Sequence, residues 1–195
     1  MIGLLKGVFV FFAPLFLSYA GGKLMAWISG RPKVDSLHIA NNAGTPLNLR
    51  LYGYDVHDVA AHWAPFSPVR LQQERCFLEL DLVYPFLYGG AFLAALLLAR
   101  AWLERPLAAH WLVFPVVLAV LADWVENLVQ LHQLRRWTSA AEPAVTDLNA
   151  TLIQLASAAT SAKIWLLLGI LLLLAVLAVW VIFTPSAGPP QSAHP

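Results

Sequence analysis

The stretch IWLLLGILLLLAVLAVWVIF, Ile164 to Phe183, contains no charged side chain. A helix needs about 20 mostly apolar residues to cross the hydrocarbon core of a bilayer, and this stretch supplies them. Backbone N–H and C=O groups cannot stay unpaired in lipid, so the segment reads as a helix. Three further apolar stretches share the pattern: Gly7 to Ile28, interrupted by Lys23; Leu82 to Ala99; and Leu107 to Leu131, which carries Asp123 and Glu126. Composition agrees. Hydrophobic residues make up 59 % of the chain and charged residues 12 %, too few charges to cover a water-exposed surface.

The expected fold class is therefore all-α, a four-helix transmembrane bundle with a small extramembrane cap between helices 1 and 2. The 195 residues form a single transmembrane domain over 1–183, with spans at about 7–28, 82–102, 107–131 and 150–183 and a cap over 29–80. The tail 184–195 is Pro, Gly, Ser and Ala and reads as disordered. A net charge of +1 without a long basic run gives no case for nucleic acid. The single Cys76 excludes an internal disulfide and a zinc site built from several thiolates.

The first stretch has two readings. Lys6, the apolar run Val8 to Leu17 and Ser18-Tyr19-Ala20 before Gly21 resemble a secretory signal with a small-residue cleavage site. The return of apolar residues at Leu24, Met25, Trp27 and Ile28 favours a retained helix.

Start signals extend the helices past the membrane. Ser67-Pro68 pairs an N-cap residue with Pro at the first helical position. No breaker follows before Pro85, so the second helix is expected to start at Pro68 and enter the membrane near Asp81. Pro106 can open the third helix and Pro115 kink it. Pro143 or Asp147 can open the fourth. In the cap, Asn41 to Pro46 is turn chemistry. Asp55 can cap a short helix carrying Val56, Val59, Ala60 and Trp63. Trp63, Phe66, Tyr52 and Tyr54 suit a membrane-interface position.

Four spans put segment 29–66 and the turn after Leu131 on one side, the loop face. Helix direction then places Asp81, Asp123, Glu126, Asn127 and Lys163 at similar depth near that face. Asp123 lies roughly 24 Å along its helix, counting from Leu107 at about 1.5 Å per residue. It thus sits nearer the interface than the bilayer centre, and Lys163 can reach for the headgroups. Asp123, Glu126 and Asn127 share one helical face at i, i+3 and i+4. Ala156, Thr160 and Lys163 share another, among small residues that permit close helix approach. Asp81, Tyr84, Pro85 and Tyr88 share a third. The candidate polar cluster is Asp81, Tyr84, Tyr88, Asp123, Glu126, Asn127, Thr160 and Lys163. Asp81, Asp123, Glu126 and Lys163 are its candidate catalytic groups.

The bland reading pairs Lys163 with Glu126 or Asp123 and locks the bundle. The sharper one gives the cluster ligand or proton chemistry, since ionisable groups inside a membrane are functional candidates. Its surplus of acid could hold a proton, or a hard cation such as Mg²⁺. No cofactor is predicted and no metal site is firm. His38, His57, His62, His110, His132 and His194 are scattered. His110 and His132 lie at opposite ends of one helix, which argues against a bis-histidine haem. His57 and His62 miss the i, i+4 spacing that serves zinc. Ser157 and Ser161 near Lys163 read as packing residues in preference to a Ser–Lys nucleophile.

Arg50 with Gly53-Tyr54, Leu80-Asp81 with Pro85 and Tyr88, Asp123-x-x-Glu126-Asn127, and Ala156-Ser157 with Thr160 and Lys163 follow one another in an order that resembles a group of uncharacterised small bacterial four-helix integral membrane proteins. The similarity covers about Arg50 to Lys163. It implies a four-helix membrane fold and no particular activity. The two prolines between Pro65 and Arg70 depart from the group's pattern.

Three functions stay open from sequence: a non-enzymatic bundle that binds a lipid or another membrane protein, a membrane-embedded enzyme on a lipid-type substrate, and a proton or ion pathway. The expected location is the cell's inner membrane, multi-pass. The loop face holds Lys23, Arg31, Lys33, Arg50, Arg70, Arg75, Arg135 and Arg136, and the other face Lys6, Arg100 and Arg105. Raw counting would make the loop face cytoplasmic, yet that face is much longer; Lys6 ahead of the first span and the compact Arg100/Arg105 turn favour the N- and C-termini in the cytoplasm.

Overall fold

A computed structural model describes residues 2–30, 46–103 and 109–183. Among these residues the chain is helix and turn, with no strand. Six α-helices follow in order: α1 (Ile2–Ile28), α2 (Val56–Trp63), α3 (Pro68–Leu80), α4 (Tyr84–Leu103), α5 (Ala109–Ser139) and α6 (Ala150–Phe183), with 3₁₀ turns at Leu47–Leu49 and Val145–Asp147. Four stretches are long and apolar enough to cross a membrane: α1, the α3–α4 stretch Pro68–Leu103, Trp111–Ser139 and α6. The architecture is that of a multi-pass integral membrane protein.

α4 and α6 lie on the bundle's short diagonal. α1 packs against both, and α5 packs against both from the other side. Gly7 seats α1: a Cβ there would stand 2.8 Å from the Ala178 carbonyl oxygen and 2.5 Å from an Ile182 side-chain carbon. The backbones therefore touch, as small residues allow in lipid. Phe9, Phe12, Phe16 and Leu17 remain exposed on α1, as do Trp165, Leu172 and Val176 on α6. They form the apolar surface that a bilayer would cover.

Two apolar cores divide the molecule. The membrane core gathers Phe92, Leu96, Ala99, Leu112, Val116, Ile170, Leu174 and Leu177. The cap core gathers Leu47, Val59, Trp63, Leu78, Leu134, Trp137 and Ile153. On α5 the buried stripe runs from Leu112, Val116 and Ala119 to Asp123, Glu126, Asn127 and Gln130, and returns to apolar at Leu134 and Trp137. On α6 it runs from Ile153 and Ala156 through Thr160 and Lys163 to Ile170. A polar layer thus lies between the two cores.

Local signals act as the sequence predicts in the cap. Asp55 caps α2 by accepting from the Asp58 N–H at 2.9 Å, and the Asp58 carboxylate accepts from the Asp55 N–H at 3.0 Å, a reciprocal box. The Asp58 N–H also holds the Asp55 carboxyl below the usual carboxylate range. Ser67 caps α3, with Pro68 at its first position.

Elsewhere the structure differs. The expected continuous second helix is broken at 81–83. Pro85 has no N–H to give to the Asp81 carbonyl, and its ring crowds that group. α6 opens at Ala150, not at Pro143 or Asp147. Asn149 is its cap, accepting from the Leu152 N–H at 3.0 Å, while Asp147 ends a 3₁₀ turn. α5 runs unbroken through Pro115. Trp63 and Tyr54 are buried in the cap core and do not face an interface, whereas Tyr52 is 94 % exposed. Pro106, Asn41 to Thr45 and the tail lie outside the described residues.

Candidate functional site

α4, α5 and α6 deliver the expected residues to one layer. The Lys163 ammonium sits between two carboxylates, donating to Asp123 Oδ1 at 2.9 Å and Glu126 Oε2 at 2.5 Å. It does not reach for the headgroups, since Lys163 is buried. Two carboxylates within hydrogen-bond distance are a stronger attraction than the interface offers a desolvated ammonium.

Asp123 and Glu126 are each fully engaged. Asp123 Oδ1 also accepts from Asn127 Nδ2 at 3.2 Å, and Oδ2 accepts from the Tyr88 hydroxyl at 2.8 Å. Glu126 Oε1 accepts from Gln130 Nε2 at 3.1 Å. Glu126 and Asn127 are 0 % exposed and Asp81 3 %. Asp123 and Glu126 are tolerated at such depth because the ammonium and these further donors bond their oxygens.

Asp81 enters the layer from the broken turn. Asn127 Nδ2 donates to its backbone carbonyl at 3.1 Å, and Trp124 Nε1 donates to the Leu82 carbonyl at 2.9 Å. α5 thereby satisfies the two carbonyls that the break at Pro85 leaves without a helical partner. The Asp81 carboxyl lies within electrostatic reach of Asp123, Lys163 and Glu126.

Two expected members behave differently. The Tyr84 hydroxyl donates to the Ser18 carbonyl on α1, so Tyr84 ties the first span to the bundle while staying within electrostatic reach of Asp81 and Asp123. Thr160 donates to the Ala156 carbonyl at 3.0 Å, a bond within its own helix, and its oxygen stands 3.4 Å from the Tyr54 hydroxyl, which can donate to it.

Tyr54, Gln130 and Trp124 belong to the network and were not among the expected residues. Gln130 was findable, because it stands at i+4 from Glu126 and continues the acidic face. Tyr54 carries no such signal, since it comes from the cap. Its hydroxyl accepts from Gln130 Nε2 at 3.0 Å, and its backbone N–H donates to Ser157 Oγ at 2.7 Å. Gly53 brings it there, with φ +80° and a missing Cβ that would stand 2.4 Å from Ser157 Oγ. Only glycine combines that backbone with that approach. Ser157 is thus a docking acceptor for the cap. Burial, then the Glu126 carboxylate, push the Tyr54 phenol up to about 12.

The layer offers no metal geometry. Among the described residues no three His, Cys, Asp or Glu side chains are placed to hold an ion, and Lys163 occupies the space between Asp123 and Glu126. His57 and His132 are exposed.

Fold and site together define an all-α, multi-pass membrane bundle with a polar layer sealed between a membrane core and a cap core. No family model, no curated protein and no solved structure matches the chain.

Proposed function

We propose that the protein is a non-enzymatic multi-pass membrane bundle, locked by its polar layer, that binds a lipid or another membrane protein through its apolar surface. The observation that carries this reading is closure. Lys163, Asp123 and Glu126 satisfy one another, and Glu126, Asn127 and Thr160 have no exposed surface. A catalytic pair needs an open position for a reacting atom, and these groups use their hydrogen-bonding capacity on each other. Among the described residues an outward-facing apolar groove of about 540 Å³ lies between α5 and α6, lined by Pro115, Trp165, Leu166, Gly169 and Leu173. That lining suits an acyl chain or an apolar helix.

The same reading places the chain in the inner membrane of a bacterial cell with both termini cytoplasmic and the cap outside. It also keeps α1 as a retained span, supported by the Gly7 seat and the Tyr84–Ser18 tie. Membership of the small bacterial membrane-protein group is part of the proposal, carried by the ordered motifs from Arg50 to Lys163.

The test is native mass spectrometry of the purified protein beside the double variant Glu126→Gln/Lys163→Met. The expected result is that the folded double variant keeps the lipid or partner that co-purifies with the wild type. A folded double variant that has lost that species contradicts the reading and favours an enzyme or binding site in the layer itself.

A further inference from the structure

The polar layer contains three carboxyl groups, Asp81, Asp123 and Glu126, against one ammonium, Lys163. Their bonding is unequal. Asp123 and Glu126 each receive the ammonium and at least one further donor, from Tyr88, Asn127 or Gln130. Such donors favour the charged form of a carboxyl. Among the described residues no lysine, arginine or hydroxyl group is bonded to the Asp81 carboxyl, which is nonetheless buried. Three like charges at this spacing, with one cation to offset them, do not all persist out of water.

Asn127 supplies the second observation. Its Nδ2 donates to two acceptors, the Asp81 carbonyl and Asp123 Oδ1. The amide is therefore held in one orientation, because turning it would set its oxygen against both acceptors. Its Oδ1 is fully buried and has no hydrogen-bond partner. An orphaned buried acceptor is costly and calls for a donor. This same amide is held against Asp81 by its 3.1 Å bond to the Asp81 carbonyl, and its side chain interacts with the Asp81 carboxyl. An acceptor without a donor stands beside a carboxyl that no ammonium or guanidinium bonds, and one proton resolves both.

We propose that the polar layer is a proton-binding site in which the Asp81 carboxyl is neutral and donates its proton to Oδ1 of Asn127. The proton comes from solvent and returns there when Asp81 ionises, with no bond to carbon changed. The groups that face it are Asp123 and Glu126 on α5, Lys163 on α6, Tyr84 and Tyr88 on α4 and Tyr54 from the cap. On α3, Glu74 stands two turns back from Asp81, 4.0 Å from Arg70. α1 contributes the Ser18 carbonyl through Tyr84. The layer then carries one net negative charge in place of two.

The inference rests on the closed layer of the proposed function but is read by a separate signal. Infrared spectroscopy of the purified protein at neutral pH is expected to show the carbonyl band of a neutral carboxylic acid. The band should shift when aspartate is ¹³C-labelled and vanish in Asp81→Asn. Asparagine mimics the neutral acid in shape and retains a donor for Asn127, so Asp81→Asn should melt as the wild type does, while Asp123→Asn melts lower. A wild type with no such band overturns the proposal, and so does a band that survives in Asp81→Asn. An Asp81→Asn variant that fails to fold overturns it as well. Loss of lipid or partner from the folded Glu126→Gln/Lys163→Met variant would sink the proposed function without touching the band.

Discussion

Tyr54 carries its hydroxyl from the cap into the polar layer, where burial and Glu126 keep the phenol neutral up to about pH 12. An unfolded tyrosine ionises near pH 10. Between those values the folded state holds a proton that the unfolded state has released. Stability from this group is therefore complete below about pH 10 and declines as pH rises towards 12, by on the order of 2–3 kcal/mol. Alkaline denaturation of wild type and Tyr54→Phe should show it: the variant has the shallower loss over that window. At neutral pH the same variant should be less stable by about 1–3 kcal/mol, because Gln130 and Thr160 lose a buried partner. An equal alkaline slope in both proteins would remove Tyr54 from the layer. This residue also marks a limit of sequence reading. Asp123, Glu126 and Asn127 declare a shared face by spacing alone, and Lys163 reaches their depth by counting turns. Tyr54 arrives through a cap whose docking depends on tertiary contact, so its periodicity says nothing.

At the scale of elements, the break between α3 and α4 and the seat of the cap are the features that position the site. Pro85 was visible in the sequence as an interruption, but its consequence was not. The sequence predicts a helix running on from Pro68, and the structure stops it at Asp81 because Trp124 and Asn127 can accept the task of bonding the freed carbonyls. That compensation crosses from one helix to another and has no local signature. Trp124→Phe keeps the ring and removes the donor, and is expected to cost about 1–3 kcal/mol in chemical denaturation. No loss would mean that the Leu82 carbonyl finds water or another donor. Gly53 presents the matching case on the cap side. Gly53→Ala faces both a left-handed backbone and Ser157 Oγ, and should undock the cap at a cost of about 1–3 kcal/mol or more. Faster hydrogen exchange at the α2 amides, with α4 unchanged, is the expected readout. Protection that is unaltered in α2 would show that the cap is held elsewhere. By contrast Asp55, Ser67 and Pro68 were legible in advance, since a cap acts within one turn of its own residue.

For the whole molecule, four spans were readable from apolar length and charge deficit, because lipid imposes that requirement on each segment separately. That α4, α5 and α6 meet was readable from the polar faces they share at one depth; that α1 packs on α4 and α6 was not, since it carries no matching polar face. Orientation is set by few charges and is open to direct test. Tyr52 is the most exposed large hydrophobic side chain among the described cap residues, so Tyr52→Cys in a Cys76→Ser background reports the cap's side of the membrane. On the proposed orientation a membrane-impermeant thiol reagent should label it in intact cells; labelling only after lysis would reverse the topology. The central claim, that a closed Lys163–Glu126–Asp123 layer locks spans and cap into one body, is tested most directly by a double-mutant cycle in unfolding free energy over Glu126→Gln and Lys163→Met. Removing one partner strands a buried charge, and each single variant should lose about 3–5 kcal/mol. The double variant should recover a large part of that loss, leaving a coupling well above 1 kcal/mol. Additive losses, or single variants as stable as the wild type, would contradict the account.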